Sequence, residues 1–110
     1  MSLKPNSRVY RHALYQQFIS DKAHGEVDNS IRSVEPLEAE YRSFQCEIEI
    51  DGKYLSLIME YPSHFPWAPP SFSLKNFKCD DFDGSWNPSI RSMCATLLMM
   101  REIVRKYLNS

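Results

Sequence analysis

The sequence predicts an α+β fold, an antiparallel β-meander carrying an N-terminal helix and a long C-terminal helix. Three observations lead there. Residues 43–60 alternate apolar and polar side chains on both sides of Asp51-Gly52, the pattern of a tight hairpin. Apolar residues recur at three- and four-residue spacing towards both ends of the chain, the period of an amphipathic helix. A length of 110 residues leaves room for one core, so residues 1–110 are read as one domain.

The first helix is expected over residues 8–19, where Tyr10, Ala13, Leu14, Gln17 and Phe18 form a stripe and Gly25 lies beyond the end. Residues 26–40 are acidic and weakly periodic with Pro36 inside, and they read as a loop or irregular turn. A three-stranded meander is expected over residues 41–77. With Ile50 opposite Lys53 across the turn, Ile48/Leu55, Cys46/Leu57 and Phe44/Met59 fall on one face. Gln45, Glu47, Glu49, Ser56 and Glu60 take the solvent face, and Phe72 and Leu74 stay in phase in the third strand. A long helix is expected over residues 88–108, with Asn87 as cap and Pro88 at its first position. Its stripe runs through Ile90, Met93, Cys94, Leu97, Met100, Val104, Tyr107 and Leu108; Leu98 and Met99 widen it beyond one face, a surface read first as covered by caps and satellite contacts and alternatively by a second partner.

Composition excludes several function classes. The chain has 13 basic against 14 acidic residues and no basic run, which argues against binding nucleic acid by neutralising phosphates. No stretch approaches the roughly 18 apolar residues of a membrane span, and the first residues show no apolar leader, so no membrane partner is expected. Three cysteines without a Cys-x-x-Cys pair suit a reducing nuclear or cytosolic compartment. His12, His24 and His64 lie far apart, and the order of Cys79, Asp80, Asp81, Asp83 and Gly84 matches no calcium loop. Only Gly25, Gly52 and Gly84 are present, so there is no phosphate-cradling glycine loop. Neither a metal nor a cofactor is expected.

Residues 61–70 open on Tyr61-Pro62, close on Pro69-Pro70 and set His64, Phe65 and Trp67 between them. The prolines are read as fixing an extended, poorly hydrogen-bonding crossing into the third strand. Together with Trp86-Asn87-Pro88, this segment resembles the ubiquitin-conjugating (UBC) fold and its non-catalytic E2-variant and RWD relatives over nearly the whole chain. The resemblance implies a UBC-like/RWD arrangement; fold alone does not fix function.

Conjugating enzymes of that fold use a thiolate and a His-Pro-Asn motif, whose amide supports the oxyanion. This chain has no His-Pro-Asn. Cys79 stands seven residues before Trp86, near the family's spacing, but only nine residues after Pro70, so the catalytic loop is read as deleted. Asp80 and Asp81 follow Cys79 directly, and adjacent carboxylates disfavour a thiolate. Cys46 and Cys94 read as core thiols. No catalytic residue is assigned, and the chain is read as non-enzymatic.

A narrower resemblance joins the two halves. Arg8-Val9, Ala13-Leu14, Gln17-Phe18, Ser20, His24-Gly25, the hairpin from Phe44 to Leu57, Tyr61-Pro62, Pro69-Pro70, Phe72 to Leu74 and Ile90 to Met93 resemble, in this order, the carboxy-terminal region of the THO subunit 5 family. The chain departs from the family after Met93 and lacks its coiled-coil part, which implies a fragment or a divergent member. The resemblance implies a nuclear scaffold in messenger-RNA processing and export, contacting other THO complex subunits and mRNA export factors, with RNA reached only indirectly. Ser85 to Pro88, Leu97-Leu98, Arg101-Glu102 and Tyr107 also resemble the BRE-type E2-variant domain of deubiquitinase complexes, for which ubiquitin would be the partner. His64, Phe65 and Trp67 are the candidate partner-binding residues, as aromatic anchors on a rigid segment lose little entropy on binding. The competing reading has Phe65 and Trp67 plug the sheet's edge.

Overall fold

Ser7 turns the chain into α1, Arg8–Ala23, its hydroxyl accepting the Tyr10 N–H at 3.1 Å. The structure is a computed structural model and describes residues 7–25, 29–75, 77–79, 82, 86–89 and 92–109. α1 runs a turn further than expected and stops where Gly25 adopts a φ of +77°. The buried face is also rotated: Ala13 and Gln17 are exposed, while Arg11 and Phe18 are buried with Leu14 and Tyr15 beside them. Arg11 tolerates this position because its Nε–H donates to the Glu40 carbonyl at 2.9 Å. Burial, and then Arg42, pull its pKa below the ordinary arginine value.

Among the described residues the sheet has five antiparallel strands in chain order: β1 Ile31–Pro36, β2 Ser43–Ile50, β3 Lys53–Glu60, β4 Ser71–Leu74 and β5 Phe77–Cys79. The β2–β3 register is the one expected, from Ile50↔Lys53 to Phe44↔Met59. Asp51 and Gly52 both have positive φ, 54° and 83°, which is the two-residue turn that matches strand twist.

β1 corrects the reading of residues 26–40 as a loop; residues 26–28 lie outside the described residues. Its pairing runs Ile31↔Ile48, Arg32↔Glu47 and then Glu35↔Gln45, so one extra residue is inserted on β1. Ser33 takes a φ of 57° there. This bulge resets the alternation, so Ile31 and Val34 both reach the core although they stand an odd number of residues apart. Pro36 sits at the end of an edge strand, where a missing N–H is tolerated.

The β1–β2 connection is held by Glu38, whose carboxylate accepts the N–H groups of Glu40, Arg42 and Ser43 at 3.0, 2.5 and 2.9 Å. Desolvation works to raise its pKa, but the three N–H bonds prevail and hold it below 4.5. A depressed carboxylate contributes stability above its unfolded pKa and loses it as pH falls through the folded value. Glu38→Gln is therefore expected to cost about 1 kcal/mol at neutral pH, after allowing for solvent screening. The variant should also flatten the loss of thermal stability on acidification below pH 4.5, as melting curves across pH would register.

The C-terminal helix, α2, spans Met93–Leu108 rather than beginning at Pro88. Asn87 is not its cap, because its Oδ1 accepts the Ser89 N–H at 2.9 Å and closes a turn instead. Ser92 caps α2, accepting the Ala95 N–H on its hydroxyl at 3.4 Å and the Thr96 hydroxyl on its carbonyl at 2.9 Å. Met93, Leu97, Met100 and Val104 point into the core against Phe44, Cys46, Ile48, Leu57 and Phe72 of the sheet. Arg101 fastens the helix to the hairpin, donating to the Glu49 carbonyl at 2.5 Å and to its carboxylate at 3.1 Å. Tyr15 of α1 packs on Phe44 at 5.3 Å between centroids and donates its hydroxyl to the Val34 carbonyl. Both helices thus cover one face of the sheet, and Gln45, Tyr54, Ser56 and Glu60 remain exposed on the other.

Candidate interaction surfaces

The crossing over residues 61–70 is not extended. Tyr61 leaves β3 with its N–H on the Arg42 carbonyl at 2.8 Å, and two overlapping turns follow. Phe65 N–H donates to the Pro62 carbonyl at 3.2 Å, and Trp67 and Ala68 N–H groups donate to the His64 carbonyl at 2.7 and 3.1 Å. The Phe65–Pro66 peptide is cis. The prolines lack donors, but the N–H groups of Phe65, Trp67 and Ala68 between them are engaged in turns.

These turns divide the three candidate residues. Phe65 is 1% exposed, so the expectation that it is available to a partner is corrected. Its ring lies 4.5 Å from Tyr61, 6.2 Å from Tyr10 and 6.0 Å from Trp86. Trp67 is 69% exposed, and His64 is exposed beside it. The loop under Trp67 is braced from outside, since the Trp86 Nε1–H donates to the Pro66 carbonyl at 2.7 Å. Trp86 in turn packs edge-on against Phe82, which packs edge-on against Phe72 of β4. An indole is therefore presented on a backbone already fixed by hydrogen bonds and a buried neighbour, the arrangement that keeps the entropic cost of binding low.

Two of the three thiols are buried. Cys46 is buried on β2, where desolvation and then Glu47 push its pKa up to about 12. Cys79 is 8% exposed in β5, paired with Phe72, and Cys94 is half-buried on α2. Asp80, Asp81, Asp83 and Gly84, the remainder of the acidic turn, lie outside the described residues. Alkylation at pH 8 is expected to spare Cys46 until the domain unfolds, a result that mass spectrometry across a urea series would show. The His12 ring is tilted against Tyr41 at 4.7 Å between centroids, and His24 Nδ1 meets the Ser20 carbonyl at 2.8 Å. Among the described residues no cluster of three His, Cys, Asp or Glu could hold a metal, and no helix is long and apolar enough to cross a membrane.

One concave surface was not anticipated. A groove of about 600 Å³ lies between β3, the β4–β5 turn and the end of α2. Leu55, Leu74 and Phe77 line its sheet side, and Val104, Tyr107 and Leu108 its helical side, with the Tyr107 ring tilted against Phe77 at 4.3 Å between centroids. The sequence pattern puts Tyr107 and Leu108 in the core stripe, yet they are 45% and 51% exposed, Tyr107 meeting the sheet at Phe77. Leu98 is exposed as well, on the flank of α2 with Met99 and Ile103. Compared with protein-family models, with curated proteins and with solved structures, the chain gives no match.

Proposed function

We propose that this chain is a non-enzymatic protein-interaction domain of the UBC-like/RWD kind, related to the THO subunit 5 family and acting in nuclear mRNA processing and export. The observation that carries the reading is Trp67, an indole 69% exposed on a loop that hydrogen bonds and Phe65 hold in place. Large exposed aromatics on rigid backbone are the usual energetic centres of protein interfaces. An α+β frame with both helices on one side of an antiparallel sheet is compatible with the proposed family. Other THO subunits and export factors are the proposed partners, with RNA reached through them, in keeping with 13 basic against 14 acidic residues. The buried Cys46 and Cys79 favour binding over thioester chemistry.

Affinity capture of the tagged domain from nuclear extract in moderate salt tests the reading. Recovery of THO subunits, identified by mass spectrometry and reduced by Trp67→Ala, is the expected result. Recovery of ubiquitin or deubiquitinase subunits without them would replace it with the E2-variant adaptor reading, which NMR titration with ubiquitin would then examine. A reducible ubiquitin adduct abolished by Cys79→Ser would overturn both in favour of an active conjugating enzyme.

A further inference from the structure

The groove beside β3 borders an open stretch of strand edge. Because Asp51-Gly52 closes a two-residue hairpin, Ile50/Lys53, Ile48/Leu55, Cys46/Leu57 and Phe44/Met59 are the hydrogen-bonded pairs of β2 and β3. The main-chain groups of Tyr54, Ser56, Ile58 and Glu60 therefore point the other way, towards β4. β4 meets only Ile58 and Glu60, through Ser73 and Ser71, and then turns back into β5 at Lys75. Tyr54 and Ser56 are left without a main-chain partner on that side among the described residues. Exposed N–H and C=O groups in a row are a template for one more strand.

The surroundings restrict what that strand can be. The groove runs alongside the edge, and Leu74, Phe77 and the 51% exposed Leu108 leave room for a large apolar side chain. Lys75 at the β4–β5 turn is exposed on its rim, and among the described residues no Asp or Glu lines it. In a chain of net charge −1, the charged side chain lining this apolar trough is a cation, Lys75, while Glu47 and Glu49 across β2 are engaged by Arg32 and Arg101.

We propose that the groove binds an extended acidic peptide segment of a partner protein, which adds a short strand along Tyr54 and Ser56 and seats one large apolar side chain against Leu74, Phe77 and Leu108. The backbone bonds supply a directional attachment, the apolar residue supplies buried area, and a carboxylate beside it meets Lys75. This site lies at the opposite end of β3 from the Trp67 loop and shares with the function proposed above only the premise of a binding domain.

A panel of capped hexapeptides with a central phenylalanine, leucine or alanine, flanked by glutamates, glutamines or lysines, tests the proposal by NMR titration of the labelled protein. Saturable shifts centred on the Tyr54, Ser56, Lys75 and Phe77 amides are expected for glutamate-flanked phenylalanine or leucine. Binding should weaken about tenfold with lysine flanks or in Lys75→Glu, since the charge contact at the rim is reversed. N-methylation of alternate peptide nitrogens should weaken it by a similar factor, about tenfold, by removing strand hydrogen bonds. Leu108→Glu changes an exposed position and is expected to fold and to lose binding. The proposal is overturned if no peptide gives saturable shifts at millimolar concentration, or if lysine-flanked peptides bind best. Equal binding of N-methylated peptides would also overturn it, leaving a pocket for apolar groups without strand addition. A failure of THO capture in extract leaves these shifts unaffected, so the two readings fail separately.

Discussion

Phe65→Ala is expected to destabilise the domain by about 3–5 kcal/mol, the usual cost of deleting a fully buried phenyl ring. The ring is 1% exposed and touches three elements of the fold at once: Tyr10 on α1, Tyr61 at the end of β3, and Trp86 in the segment before α2. Its loss leaves Tyr61, itself buried and with its phenol pKa pushed above the ordinary value by desolvation, without its nearest aromatic neighbour. Domains of this size are commonly stable by only about 5–15 kcal/mol, so the variant should melt well below the parent. Phe65→Leu keeps most of the volume and should recover more than half of the loss. Urea denaturation of the three proteins measures these differences directly. An alanine variant as stable as the parent would remove Phe65 from the core and return it to the set of exposed anchors.

The contrast between Phe65 and Trp67 also shows where sequence patterning reaches its limit. In an extended crossing, residues two apart share a face, so these two aromatics would be either both buried or both exposed. The turns closed on the Pro62 and His64 carbonyls break that periodicity and send the side chains to opposite surroundings. β1 was hidden for a related reason, because the extra residue near Ser33 puts Ile31 and Val34 out of alternation while leaving both in the core. The start of α2 was misplaced because Asn87 and Ser92 are both good capping residues and only local hydrogen bonding decides between them. The hairpin carried no such ambiguity. Its turn residues and its apolar alternation each specify the same register, and a one-residue slip would turn Phe44, Cys46, Ile48 and Ile50 to solvent. The groove at the end of β3 depends on where β4 stops relative to its neighbour, a long-range feature that no local pattern encodes.

Trp67→Ala is expected to leave folding intact and to weaken partner capture by at least about thirtyfold, which corresponds to about 2 kcal/mol of binding energy. The indole is mostly in solvent, so its truncation should change stability by no more than about 0.5 kcal/mol. The bonds that shape the loop come from the Trp67 and Ala68 backbone N–H groups and from the Trp86 side chain, all of which the substitution retains. Trp67→Phe keeps part of the apolar area and should retain intermediate affinity, whereas His64→Ala should have a smaller effect, since that imidazole offers less surface to bury. The chain has two tryptophans, and Trp86 is already half-buried and hydrogen-bonded. A blue shift in emission on partner binding should therefore come from Trp67 and vanish in its phenylalanine variant. Capture at full strength by a folded Trp67→Ala protein would mean that the partner docks elsewhere, and the exposed indole would then have no part in the function proposed for this domain.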